Sequence, residues 1–426
     1  MTIAIFLGSL LGAMALGIPI SFSLLLCGAA LMFHMNMFDA QILAQNVING
    51  ADSFPLLAVP FFMLAGEVMN AGGLSRRIVN FAMTLVGHIK GGLGYVSILA
   101  AVMLAALSGS AVADAAALSA LLLPMMVAAG HDKSRSAGLL ASASIIAPII
   151  PPSIGFVIFG VAANVSISKL FMAGIFPGIM LALSLVVTWW YVARKETVAV
   201  PPRKSKAEVL AAFKDATFAL VLPVIVVVGL KFGVFTPTEA AVVAAVYAML
   251  ISTLVYKELK LKEMYGLFLA AAKTTAVIMF LVAAAMVSAW LITVAQLPDE
   301  VVTLLQPLLD SPKLLMFAIM LLVMLVGAAM DMTPTILILT PVLMPIVKAA
   351  GIDPVYFGVL FIINNAIGLI TPPVGTVLNT VAGVGKVSMD DVTKGVMPFM
   401  IAQFTIMFLM VLFPQIVMVP ARWFYG

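Results

Sequence analysis

Long apolar runs of about the 20-residue length that spans a bilayer follow one another along almost the whole chain. They fall at about 2–15 and 17–34, broken at Gly17-Ile18-Pro19, then at about 50–72, 92–128, 136–163 and 170–193. After a polar connector they resume at 216–233, 238–256 and 266–293, and continue through 314–349 and 355–382. A β-barrel would alternate in polarity over segments of about 10 residues, whereas Val96 to Leu107 is continuously apolar. The pattern predicts an all-α polytopic membrane protein.

Two interruptions matter most. SGSAVAD (Ser108 to Asp114) breaks the run at 92–128, and GAAMDMTPT (Gly327 to Thr335) breaks the run at 314–349. Hydrocarbon offers no water to hydroxyl, carboxylate or freed backbone groups, so such islands belong inside protein or beside a cavity. Each is followed by a proline-rich break in the next apolar run, APIIPPS (Ala147 to Ser153) and GLITPPVG (Gly368 to Gly375).

These features recur at a constant offset. Pro124 and Pro345, Pro151-Pro152 and Pro372-Pro373, Gly174 and Gly395, and Pro177 and Pro398 are each 221 residues apart, as are Gly130 with Gly351 and Asp132 with Asp353. Proline and glycine punctuate helices, so one shared register predicts two structural repeats. We expect a first repeat at 1–193, a connector at 194–215 and a second repeat at 216–426.

Charge decides their relative orientation. The connector carries Arg194, Lys195, Arg203, Lys204, Lys206 and Lys214 and is the natural cytoplasmic loop. Counting outwards puts Lys257, Lys260 and Lys262 inside and Asp299, Glu300 and Asp310 outside. The stretch matching those acids holds Arg76, Arg77 and Lys90, reads as an interfacial helix and belongs inside. Basic and acidic loops at matching positions predict inverted repeats. The parity requires 92–128 and 314–349 to be re-entrant hairpins, with ten crossing helices and both termini outside.

The remaining composition excludes more than it adds. A net charge of +4 spread over short loops gives no reason to expect nucleic acid as a partner. No positive charge precedes the first apolar run, which reads as an uncleaved helix. Cys27 is a lone thiol in an apolar run, and the 29 methionines read as packing residues. His34, His88 and His131 lack metal-ligand spacing. Ala382 to Lys386 resembles part of a phosphate loop, but GxxxxGK[ST] is not satisfied, and no nucleophile elbow is present. No enzyme and no organic cofactor are expected.

Prolines inside a helix free carbonyl oxygens, and such oxygens beside serine and threonine hydroxyls suit a small alkali cation. Two sites are therefore expected: Ser108, Gly109 and Ser110 with Ala147 to Ser153, and Gly327 to Thr335 with Gly368 to Val374, with Asn364 and Asn365 nearby. Plain kinking and small-residue packing is the competing account of both. Asp114 and Asp331 divide between capping their half-helices and binding a cation or proton. Asp114, Ser153, Asp331, Thr333, Thr335, Asn364 and Asn365 are the substrate or coupling candidates. Glu67 and Glu239 rank lower, either as proton or substrate groups or paired with a cation, and Lys273 snorkels.

The segments DSFPLLAVPFFMLAGEVMNAGG (Asp52 to Gly73), LSGSAVAD, APIIPPS, GVFTPTEAA (Gly233 to Ala241), MDMTPTILILTPVLMPI (Met330 to Ile346) and GLITPPVG closely resemble the large membrane subunit of TRAP, the tripartite ATP-independent periplasmic, transporters. The resemblance runs the whole length. It implies an elevator-type importer of the ion transporter superfamily in the bacterial inner membrane, driven by sodium ions. It also implies a small four-helix membrane subunit and a periplasmic substrate-binding protein that delivers an organic acid.

By motif the resemblance carries sodium ligation onto Ser108, Ser110, Ala147, Ile150 and Pro151, and onto Gly327, Gly368, Thr371 and Val374. The substrate stays open between a dicarboxylate and a sugar acid such as sialic acid or a keto-sugar acid. A proton-coupled carboxylate carrier working without a binding protein is the alternative, and a channel or scaffold subunit is a third.

Overall fold

The computed structural model describes residues 2–194, 196, 198, 200–296, 302–303 and 306–425. These are helical throughout, with no strand among them. Nine of the described helices are long and apolar enough to cross a membrane. They are not the ten crossings of the topology above, since they include Ala111–Ala128, Pro312–Ala329 and Met332–Ala349, which form parts of the two expected hairpins. Asp299 and Glu300, used to orient the second repeat, and Lys195 lie outside the described residues.

Both expected hairpins are helix pairs with a tight turn. Gly92–Ser108 meets Ala111–Ala128 through Gly109 and Ser110, and Pro312–Ala329 meets Met332–Ala349 through Met330 and Asp331. The second helices, Ala111–Ala128 and Met332–Ala349, begin and end 221 residues apart. Each hairpin is followed by an interrupted helix: Lys133–Ser144 then Ile154–Ala163, and Pro354–Gly368 then Thr376–Gly385. The long helices Ile167–Ala193 and Met389–Leu412 come next. Ala111–Ala128 packs along Thr376–Gly385, and Met332–Ala349 along Ile154–Ala163, so each half of the chain braces the other's interrupted helix.

The basic loops meet at one end of the molecule. Arg77 Nη2 lies 2.7 Å from Glu258 and its Nε 3.1 Å from Asp215, Arg76 lies 3.0 Å from Glu258, and Lys90 Nζ donates to the Arg194 carbonyl at 3.0 Å. Partial burial works against the Arg77 charge, but the Glu258 and Asp215 carboxylates hold the guanidinium above its ordinary value. The base of the first hairpin belongs to this end. Trp189 Nε1 donates to Gly91 O at 2.9 Å, and His131 Nδ1 lies 2.7 Å from Glu196.

The base of the second hairpin lies at the opposite end of Met389–Leu412. Lys133, beside the first hairpin, donates to Lys386 O at 2.9 Å, just before that helix. Tyr356, just after the second hairpin, donates to Met410 O at 2.9 Å, near the helix's far end.

Trp189 pins the first of these ends. It is fully buried, and its ring sits 5.3 Å from the His131 ring and 6.3 Å from that of Phe399. Trp189→Ala removes this packing and the indole donor, leaving the Gly91 carbonyl only the Gly94 N–H at 3.0 Å, so it is expected to destabilise the protein by about 3–5 kcal/mol. Thermal unfolding of the purified protein measures it, and an unchanged midpoint would remove the pin.

Several elements depart from the apolar pattern. The run at about 50–72 is not one helix. A helix Ala40–Ala51 stops at Asp52, a 3₁₀ turn Phe54–Leu57 carries Pro55 in its first turn, and Ala58–Ala71 follows. The connector is helical from Lys206, because Ser205 and Glu208 form a capping box that starts a continuous helix to Lys231. A short helix Gln415–Tyr425 ends the described chain. Glu239 forms no ion pair among the described residues; it caps Pro237–Leu250 from the exposed N3 position, accepting from the Thr236 amide at 2.8 Å. Lys273 is exposed on Leu261–Val294.

Candidate functional site

At the first tip, the helix Gly92–Ser108 turns through Gly109 in the left-handed region, at φ 61°. Glycine is needed twice over here. A side chain would be strained at this φ, and its Cβ would come within 2.6 Å of the Pro152 carbonyl oxygen. The tip therefore sits with its backbone against the break in the next helix. Ser110 caps Ala111–Ala128, its Oγ accepting from Ala113 N at 3.4 Å while its own N–H donates to Ser108 Oγ at 3.2 Å.

The break itself follows from its prolines. Pro151 has no N–H for the carbonyl of Ala147, four residues back, and Pro152 has none for Pro148. Ser153 replaces the second bond, donating to Pro148 O at 2.5 Å, and its Oγ also accepts from Phe156 N at 3.1 Å to start Ile154–Ala163. No described group donates to the carbonyls of Ala147, Ile150 or Pro151. Ala147, Ile150, Pro151 and Ser153 are all buried.

The second tip makes the closer contact. A Cβ on Gly368 would lie 2.8 Å from Gly327 O, so the two backbones touch. Val374 N–H donates to Ala328 O at 3.3 Å. Thr371 Oγ1 donates to Ile367 O at 2.8 Å, and Val374 O accepts from Asn379 Nδ2 at 2.8 Å. The carbonyls of Gly327 and Thr371 receive no donor from the described residues.

Asn364 and Asn365 are buried beside this tip, their amide nitrogens donating to Met320 O at 2.6 Å and Phe361 O at 2.8 Å. Both Oδ1 atoms are buried without a partner, and that of Asn365 lies 4.0 Å from where a Gly327 Cβ would be. Buried polar atoms are normally hydrogen-bonded, and these two oxygens are free to accept from a bound group.

The aspartates occupy different positions. Ser110 corresponds to Asp331, and Asp114 to Thr335, each pair 221 residues apart. Asp114 does not cap its helix; it sits a turn inside it, buried, against the Ser108 hydroxyl, and its Oδ2 has no partner. Asp331 stands at the cap position, but its exposed carboxylate takes no helix N–H and accepts instead from Thr376 Oγ1 at 3.2 Å. Buried Thr335 donates to Asp331 O at 2.8 Å. The hydroxyl of half-buried Thr333 makes no hydrogen bond among the described residues.

Sequence reasoning passed over Thr376, Asp331's partner, and Gly66, where a Cβ would lie 3.8 Å from the Ser108 carbonyl oxygen. Neither carries a local signal, because each acts on a segment at least 42 residues away. Neighbouring Glu67 is half-buried and forms no ion pair among the described residues.

Both places offer mainly neutral oxygens: backbone carbonyls, hydroxyls and, at the second, an amide. Hard neutral donors suit an alkali cation, and the residues present fit an ion of that class such as sodium. The second tip also adjoins the first interrupted helix. Gly155, at the start of the first half-helix after the break, packs against Met332 of the second tip, with its Cβ position 3.3 Å from the Met332 sulfur.

Residues 7–416 match the family model described as the tripartite ATP-independent periplasmic transporter, DctM component. The 2,3-diketo-L-gulonate TRAP transporter large permease protein of Escherichia coli (strain K12) is 57% identical over 426 residues, covering 99% of this chain and 100% of the relative. The sialic acid TRAP transporter large permease protein of Vibrio cholerae is 38% identical, covering 98% and 97%, and the C4-dicarboxylate counterpart of Pseudomonas aeruginosa is 35% identical, covering 94% of each.

Among solved structures, the Alcanivorax borkumensis YdaH transporter aligns with a TM-score of 0.67 at 14% identity, covering 92% of this chain and 91% of that one, a likeness of fold. A full-length family match, whole-chain relatives named as permeases and a helical fold with apolar spans agree: this chain is a multi-pass membrane protein of the TRAP transporter family, its large permease subunit.

Proposed function

We propose that this subunit imports an organic acid in symport with sodium, receiving it from a periplasmic binding protein and working with a small four-helix membrane subunit in the inner membrane. The carrying observation is the pair of hairpin tips set against proline breaks, each leaving carbonyl oxygens without donors. One cation place is Ser108 and Ser110 with Ala147, Ile150 and Pro151. The other is Gly327 with Gly368, Thr371, Val374 and the Asn365 amide oxygen.

Sodium at each place would order a tip against its break and complete a pocket between them. Coupling follows because sodium binds the ordered state better than the disordered one. The shared 221-residue register and the hairpins with bases at opposite ends support inverted repeats. In an elevator movement the hairpins and interrupted helices would travel as one body. The meeting of the basic loops at one end supports placing that end in the cytoplasm and both termini outside.

For the substrate we propose a keto-sugar acid, on the strength of the 57% identical relative that carries 2,3-diketo-L-gulonate. Reconstitution with both partner subunits in liposomes tests the reading. Uptake of 2,3-diketo-L-gulonate against its gradient is expected only with sodium outside and the binding protein present, and an excess of sialic acid or a C4-dicarboxylate should not compete. Uptake undiminished without sodium would overturn the coupling, and uptake without the binding protein would overturn the delivery.

A further inference from the structure

A cavity of about 900 Å³ opens between the amphipathic helix Leu74–Val86 and the start of Lys206–Lys231, far from the hairpin tips. Arg203, Lys204, Lys206 and His88 line one part of it, and no Asp or Glu is among its lining residues. Lys204 is paired with Glu208 at 2.9 Å, whereas Arg203 and Lys206 make no ion pair among the described residues. His88 Nδ1 is buried without a partner. A second cavity of about 430 Å³ shares Thr84, His88 and Lys204 with the first and reaches His131 at the hairpin base.

The rest of the lining is apolar. Phe81 and Phe213 pack with ring centroids 5.6 Å apart, and Leu85, Leu210 and Phe213 are exposed. Cationic groups of the connector share one cavity with an exposed apolar wall built by the amphipathic helix Leu74–Val86 and the start of Lys206–Lys231, and that combination matches a molecule with an anionic head and hydrocarbon tails.

We propose that this cavity binds an anionic glycerophospholipid. Its phosphate is held by Arg203, Lys206 and the His88 ring, and its acyl chains lie along Phe81, Leu85, Leu210 and Phe213. The bound lipid joins the connector to the interfacial helix beside the base of the first hairpin. Only the choice of leaflet rests on the proposed orientation; the binding does not depend on the transport reading.

Native mass spectrometry of the full chain in detergent, titrated with phosphatidylglycerol or with phosphatidylcholine of the same chains, tests this without an uptake assay. Phosphatidylglycerol should be retained preferentially, and the double variant Arg203→Ala/Lys206→Ala should weaken it on the order of 10- to 30-fold. Arg203→Lys, which keeps the charge, should retain most of the binding. Equal retention of the two lipids, or phosphatidylglycerol binding unchanged in the double variant, overturns the proposal. Inorganic phosphate competing as effectively as the lipid would make this a soluble-anion site and overturns it too. So would loss of the lipid on assembly with the small membrane subunit, since the cavity would then be that subunit's seat.

Discussion

Gly368→Ala is expected to raise the sodium concentration needed for half-maximal uptake about tenfold or more, with the protein still folded. The added Cβ would stand 2.8 Å from the Gly327 carbonyl oxygen, 2.9 Å from its carbon and 3.0 Å from its Cα. These are backbone atoms at a hairpin tip, so no flexible side-chain end can swing aside. Relieving such overpacking costs about 1–3 kcal/mol, and here the relief is separation of the tip from the break. That separation displaces the Gly327 carbonyl, one of the oxygens proposed to hold sodium. The energy corresponds to roughly 5- to 150-fold in a binding constant.

The other half of the chain supplies the control. Ala147 holds the position matching Gly368 and already carries a Cβ, because there the close approach falls to Gly109 against Pro152. Ala147→Gly adds backbone freedom of about 0.5–1 kcal/mol and should change sodium activation only a few-fold. Sodium activation of uptake in liposomes measures both variants. A Gly368→Ala curve that superimposes on the wild type would remove the second cation place from the mechanism.

Features written locally in the chain were legible before the fold was known. A proline deletes a specific donor, so Pro151-Pro152 and Pro372-Pro373 marked the breaks and their register. Ser108 to Asp114 read as a hairpin tip, and Gly109 makes its turn, although the residue that caps the second helix is Ser110 and not Asp114. The Ser205-Lys206-Ala207-Glu208 and Thr236-Pro237-Thr238-Glu239 capping boxes are equally local, but they are polar and lie outside or at the edge of the apolar runs that carry the pattern. The helix Ala40–Ala51 was hidden for a similar reason, since Gln41, Gln45, Asn46 and Asn49 dilute its hydropathy.

What could not be read depends on distance and on register within a turn. Arg77 with Glu258, and Thr376 with Asp331, join segments 181 and 45 residues apart, and nothing in either segment announces the other. An aspartate near a helix start looks the same in sequence whether it stands at the cap or one turn inside. Only the fold separates Asp331, exposed and bonded to Thr376, from Asp114, buried with an oxygen left over.

That difference makes Asp114→Asn the sharper test of coupling. The Asp114 carboxylate is buried, no described Lys, Arg or His pairs with it, and it is hydrogen-bonded by the Ser108 hydroxyl at the proposed first cation place. An unpaired buried charge costs several kcal/mol, so in the working cycle something positive must offset it. Sodium-coupled transport assigns that task to the cation, and proton-coupled transport assigns it to a proton.

Asparagine keeps the shape and removes the charge, so the two schemes separate. If sodium offsets the charge, Asp114→Asn should raise the half-maximal sodium concentration on the order of tenfold or more and leave the pH dependence of uptake unchanged. If a proton does, sodium activation should persist and the pH dependence should flatten. Stability gives a second readout, because a ligand that binds only the folded state stabilises it by about 1.4 kcal/mol for each tenfold excess over its dissociation constant. Without sodium, the variant should unfold at a higher temperature than the wild type, having lost an uncompensated charge, and added sodium should then stabilise it less. A variant that keeps the wild-type sodium-induced rise in melting temperature and the wild-type activation curve would show that Asp114 takes no part in holding the cation, leaving the first place to neutral oxygens alone.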